Sequence, residues 1–311
     1  MPELPDVTIY VERLEAMVQG LELVRLRIAS PFVLRSVEPA PDAFTTRCLQ
    51  RVHRIGKRIA LEFDDEYCAV IHLMIAGRLR WKKAGSKIPA RNGLAAFEFA
   101  EGVLLFTEAN KKKRASLHLV HGISALGEFA RGGLEVLSAG VNDFEAALRR
   151  ENHTLKRALT DPMVLSGIGN AYSDEILHRA KLSPFKQTKT LSDDDVRALF
   201  AATNDVLNEW TERHRQTVGD RFPDKVTAFH EEMAVHGKYA KPCPVCQAPI
   251  QRIVYAENES NYCARCQTDG KLLADRSLSR LLKSNWPKTL DELEARSPNQ
   301  QPGKERPPSG G

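Results

Sequence analysis

The hydrophobic pattern of this 311-residue chain changes period once, near residue 130, and that change constrains the fold more than any other feature. Between about 23 and 120, apolar and polar residues alternate, as in Val24-Arg25-Leu26-Arg27-Ile28 and Arg58-Ile59-Ala60-Leu61-Glu62-Phe63. Alternation turns one face of a pleated strand inward. Further runs at 67–73, 78–81, 94–99, 103–107 and 116–120, with Gly and Asp turns between them, predict an antiparallel sandwich or barrel. Beyond 130 the spacing is helical, at 144–150, 154–159, 171–180 and 193–213. A helix over 5–19 leads the chain, with Asp6 as its cap and Val7, Tyr10, Val11, Leu14 and Val18 on one face. The expected class is α+β. Residues 1–130 form a β-sandwich domain, 131–230 a helical domain and 231–270 a cysteine module, and 297–311 a disordered tail rich in Pro, Gly and Gln.

The formal charge of +5 and pI near 8.8 permit a polyanionic partner without demanding one, so the clustering of charge must decide. No stretch approaches the ~18 apolar residues of a membrane span. Pro2, Glu3 and Asp6 sit where a signal peptide would be apolar, so a cytoplasmic location is expected, nucleoid-associated if the source is bacterial. Of six cysteines, Cys48 and Cys68 lie alone in strand-like runs and read as buried thiols.

The other four, Cys243-x2-Cys246-x16-Cys263-x2-Cys266, form two knuckles able to place four thiolates tetrahedrally. Val245, Ile250, Ile253, Val254 and Tyr255 give the intervening stretch the β character of a hairpin. Zinc is the expected metal and rubredoxin-like iron the competing one. Four sulfurs leave no open position, so the ion is structural.

Ser166-Gly167-Ile168-Gly169-Asn170 joins two helical stretches. Backbone amides converging at a helix start suit an anion such as a phosphodiester, although such a turn is more often a plain connection. Lys156 and Arg157 on the preceding helix favour phosphate. So do His53-Arg54-Ile55-Gly56-Lys57-Arg58, read as a turn into a strand, and Lys111-Lys112-Lys113-Arg114, read as a hairpin tip. At the start, small Pro2 permits removal of Met1. The exposed secondary amine, titrating near ~8, can attack an aldehydic carbon such as a sugar C1′, with Glu3 as proton donor.

Together these residues resemble the Fpg/Nei (formamidopyrimidine-DNA glycosylase / endonuclease VIII) family of bifunctional DNA glycosylases/AP lyases. Met1-Pro2-Glu3-Leu4-Pro5-Asp6-Val7 is similar to that family's opening. Gly167-Ile168-Gly169-Asn170-Ala171-Tyr172-Ser173-Asp174-Glu175 is similar to its helix-two-turn-helix signature, and His236-Gly237-Lys238 with Pro242-Cys243 to the approach to its zinc finger. The resemblance implies a helix-flanked sandwich, then a helical domain ending in a zinc-finger hairpin. It implies one structural Zn2+ and damaged DNA as partner, with a nucleotide flipped out for a monomeric enzyme. It implies Pro2 as nucleophile, Glu3 as general acid/base, Lys57 on phosphate beside the lesion, and Asn170 with Gly169 on the same backbone.

Departures from the family pattern bear on the substrate. Asp6 replaces the usual Glu, and Asn258 stands where an arginine clamps lesion phosphates, with Arg252 a candidate substitute. Ile75 takes the place of an intercalating methionine, and Lys111, Lys112 and Arg114 lie where an Arg-Phe-Gly loop is expected. These changes argue against strict 8-oxoguanine-opposite-cytosine specificity and towards oxidised pyrimidines, formamidopyrimidines or lesions in unusual DNA structures. The competing reading is a DNA-binding or lyase-only protein that keeps the scaffold without broad base excision.

Overall fold

Alternation in the first third of the chain becomes two four-stranded antiparallel sheets in the computed structural model, which describes residues 1–223, 230–255, 258–274 and 287–295. The tail expected to be disordered lies outside them, as does the side chain of Asn258. The strands are β1 (Leu23–Ile28), β2 (Leu49–Ile55), β3 (Arg58–Phe63), β4 (Tyr67–His72), β5 (Gly77–Lys82), β6 (Gly93–Phe99), β7 (Val103–Glu108) and β8 (Ser116–His121). One sheet runs β1-β6-β7-β5 and the other β2-β3-β4-β8. Leu26, Phe97 and Phe106 of the first sheet and Val52, Leu61 and Ile71 of the second share one core. Each such side chain fully buried stabilises the sandwich by about 1.5–3 kcal/mol.

Strand β2 departs from the expected turn at 53–58. Residues 53–55 pair with β3, Arg54 opposite Ile59, and only Gly56 and Lys57 form the turn, with Gly56 at φ +59°. A register shift between Leu49 and Arg51 breaks the alternation, which hides the strand from a period-two reading. Cys68 is buried as expected, whereas Cys48 is only half-buried.

Helix α1 (Leu4–Val18) belongs to both domains. Val7, Tyr10, Leu14 and Val18 enter the sandwich core, while Leu4 enters the core of the helical domain. The cap is Glu3 rather than Asp6. Asp6 sits three residues further in and accepts the Glu3 N–H at 2.8 Å, the backward half of a capping box.

The helical domain contains α2 (Val141–Arg149), α3 (Leu155–Thr160), α4 (Asn170–Arg179) and α5 (Asp193–Val218). α5 runs five residues beyond the expected end at 213 and packs on both α1 and α4. Hairpin β9 (Ile250–Tyr255) and β10 (Asn258–Cys263), then α6 (Ala264–Thr268), complete the cysteine module, with α7 (Leu290–Ala295) against it. Among the described residues no helix is long and apolar enough to cross a membrane.

Candidate active site

The turn at 166–170 does converge backbone amides, but they are occupied by this chain's own carboxylate. Glu3 Oε2 accepts from Gly169 N at 2.7 Å and Tyr172 N at 3.2 Å, and Oε1 accepts from Ala171 N at 2.9 Å. Glu3 is thus the anion at the positive end of α4. The expectation of phosphate on Gly169 is corrected here, because its amide already has an acceptor that is only 1% exposed. A Cβ on Gly169 would lie 2.5 Å from Glu3 Cδ, so the glycine makes room for the carboxylate. Gly167, at φ +82°, is needed for a different reason. Its carbonyl accepts the Leu4 N–H at 2.9 Å, and a Cβ there would press on Leu4 Cβ at 2.9 Å. Two glycines therefore dock the first residues of the chain onto its middle.

Cations surround this docked start. Burial lowers the pKa of the Met1 amino group, with Arg78 and Lys57 acting in the same direction and Glu3 and Asp6 opposing. Burial also lowers that of Lys57, with Lys156 adding to the fall and Glu3 opposing it. Pro2 is buried. The structure therefore gathers Pro2 and Glu3 with Lys57, which lies more than 50 residues away in the sequence. It adds Arg78 of β5, which the sequence reading did not single out.

Lys156 has another employment than phosphate. Its Nζ lies 2.5 Å from Asp174 Oδ1 and donates to the Asn170 carbonyl at 2.7 Å. Asp174 is fully buried and also meets His236 Nδ1 at 2.8 Å and the Asn261 N–H at 3.1 Å. Burial pushes its carboxyl pKa up, but Lys156 and His236 outweigh that and hold it below the usual carboxylate value. The adjacent Glu175 accepts the N–H groups of Ala234, Val235 and His236 at 2.8–2.9 Å. This acidic pair on α4 thus ties down the approach to the cysteine module and its hairpin. The signal available in the sequence was two adjacent acids inside a helix, followed directly by Ile176-Leu177.

Asn170 donates through Nδ2 to the Glu259 carbonyl at 2.7 Å, so it braces the hairpin against α4. Arg252, the substitute considered for the missing clamp, stacks at 4.4 Å on Tyr239 and pairs with Glu259 at 3.5 Å. Ile75 is 53% exposed at the tip of the β4–β5 turn, where Arg78 Nη1 donates to its carbonyl. Lys111, Lys112 and Arg114 are exposed on the β7–β8 connection. That loop is held short: Glu108 accepts the N–H groups of Arg114 and Ala115, and Lys113 donates to the Glu108 carbonyl.

The sulfurs of Cys243, Cys246, Cys263 and Cys266 converge within 4.8 Å of one another. Separations of 3.4 Å for Cys246–Cys263 and 3.9 Å for Cys243–Cys266 bracket the ~3.8 Å edge of a tetrahedron with Zn–S bonds of ~2.3 Å. His178 Nε2, 3.3 Å from Cys243 Sγ, supports the set from α4. The residues fit one structural zinc, which would fasten a module with a small apolar core.

Residues 1–115 match the formamidopyrimidine-DNA glycosylase N-terminal domain, 134–221 the H2TH domain of the same glycosylase, and 240–268 the zinc finger found in FPG and IleRS. The formamidopyrimidine-DNA glycosylase of Pelotomaculum thermopropionicum is 30% identical over 274 residues, covering 86% of this chain and 99% of the relative. An uncharacterized formamidopyrimidine-DNA glycosylase-like protein of Mycobacterium tuberculosis is 38% identical over 151 residues, 49% of this chain and 94% of the relative. In structure, Lactococcus lactis Fpg bound to abasic-site DNA has a TM-score of 0.75 at 23% identity, covering 86% of this chain and 99% of that one. Sandwich, helical domain and cysteine finger together define a zinc-finger enzyme of base-excision repair. The chain belongs to the formamidopyrimidine-DNA glycosylase family, and as such it is a DNA glycosylase.

Proposed function

We propose that this glycosylase excises oxidised bases from DNA through Pro2 and then cleaves the abasic strand. The observation that carries the reading is the seating of Glu3 on the α4 amides beside buried Pro2 and Lys57. With Met1 removed, the Pro2 nitrogen attacks C1′ as the C1′–base bond breaks, and the base leaves with the electron pair and takes up a proton. Opening of the sugar ring, with protonation of O4′, gives an iminium. Loss of a C2′ proton into that electron sink expels the 3′-phosphate, and water then releases the enzyme. Glu3 serves the sugar proton transfers, and Lys57 holds a neighbouring phosphate. Burial of Pro2 favours the neutral, nucleophilic form of its amine.

The short, self-tied β7–β8 loop carries lysines and an arginine but no aromatic wedge. This supports a substrate range broader than 8-oxoguanine opposite cytosine, leaning towards oxidised pyrimidines and formamidopyrimidines. Borohydride reduction in the presence of abasic DNA is expected to cross-link the correctly processed protein, with Pro2→Gly cutting the yield sharply. Absence of an adduct would remove the covalent step. A panel of lesions in duplex and single strands, scored for released base as well as for binding, separates excision from the binding-only or lyase-only alternative.

A further inference from the structure

One turn into α1 from Glu3, three side chains from distant parts of the chain converge: Asp6, His214 of α5 and His230. Their ligand atoms all lie within 4.8 Å of one another. Asp6 is fully buried, and its two oxygens are used differently. Oδ2 accepts the Glu3 N–H, whereas Oδ1 carries no hydrogen bond, although His214 Nε2 stands 3.2 Å from it. That separation is close to the ~3.3 Å edge expected between N and O ligands bound at ~2.0–2.2 Å to a tetrahedral ion. The His214 and His230 rings lie 4.8 Å apart between centroids, inclined at 45°. All three residues line a cavity of ≈ 270 Å³, which has room for water, together with Trp210, Arg213, Thr217 and Glu231. A buried carboxylate oxygen left without a donor beside two imidazoles is a site short of one cation.

We propose that Asp6, His214 and His230 form a second metal site, for a divalent first-row transition ion of the zinc class. Two imidazoles and one carboxylate are the donor set such ions prefer over magnesium or calcium, and they contain no sulfur. The ion bridges α1 to α5 and to residue 230, so it fastens the catalytic end of the sandwich domain to the helical domain. It also fixes the carboxylate whose other oxygen holds the Glu3 backbone. At position 6 the aspartate, one methylene shorter than the family's usual glutamate, is a ligand in this chain. The site is separate from the four cysteines and does not depend on Pro2 being the nucleophile.

The test uses untagged, full-length protein whose cysteine site is filled with zinc, titrated with Co2+. Uptake of one further equivalent is expected, with visible d–d absorption and without a thiolate-to-cobalt charge-transfer band. Cobalt should also raise the melting temperature. His230→Ala and His214→Gln should each lose that equivalent while keeping one zinc per chain. His230 lies outside any helix or strand and its ring packs on Trp210 at 4.9 Å, so the cobalt-induced rise in melting temperature, rather than the melting temperature itself, is compared between His230→Ala and the wild type. Three results overturn the proposal. They are no second equivalent, which leaves His214 to its contact with the Tyr172 hydroxyl at 3.1 Å, uptake unchanged in His230→Ala, or uptake accompanied by the charge-transfer band.

Discussion

Glu3 acts in two capacities, its backbone as N-cap of α1 and its carboxylate as the anion at the start of α4. Charge-assisted hydrogen bonds of this kind contribute about 1.5–3 kcal/mol each. Gly169→Ala, whose Cβ has no room beside Glu3 Cδ, should therefore displace the carboxylate. We expect single-turnover base release to fall about 100-fold, as misplacement of a catalytic group by ~1 Å does, with a lower melting temperature. Unchanged rates in that variant would remove Glu3 from the chemistry. The buried amine leads to a second expectation. Its reactive form is neutral, and burial of Pro2 disfavours the charged form, so trapping yield should rise with pH below the ~8 of an ordinary α-amino group. A midpoint at or above that value would contradict it. Pro2, Glu3 and the paired glycines were legible as residues, because a turn and a reactive terminus have local signatures. What the glycines face was not legible, since the carboxylate filling the turn comes from more than 160 residues away.

At the scale of elements, α4 organises the molecule's second half. Its first residue braces β10, its Asp174-Glu175 pair holds residues 234–236, and His178 reaches Cys243. Lys156 completes this network from α3, with Asp174 fully inside. Removing one partner of a buried pair leaves an uncompensated charge, so Lys156→Met should cost about 3–5 kcal/mol. The check is denaturant unfolding of the zinc-loaded protein. If Lys156 served DNA phosphate instead, that variant would keep its stability and lose salt-dependent binding. Helix α4 was legible in the sequence from its start at Asn170, because its spacing and its glycine entry agree. Strand β2 was not, because a bulge interrupts its alternation and its outer residues are His53 and Arg54.

Over the whole molecule, the change of period near residue 130 correctly separated a sandwich from a helical region. It could not show that α1 is divided between their cores. Arg54 of the sandwich pairs with Glu135, which also receives Ser166 Oγ, so the domain junction is built by residues that looked like a surface basic run. Burial of Pro2 against this junction has a consequence for biosynthesis. The peptide bond after Met1 is accessible to an aminopeptidase while the start of the chain is still free, and residues 167–172, which hold Leu4 and Glu3, are translated much later. On the proposed mechanism, a molecule that keeps Met1 has the scaffold of the enzyme but not the secondary amine of Pro2, so removal of Met1 while the start of the chain is still free becomes a step in making the active enzyme.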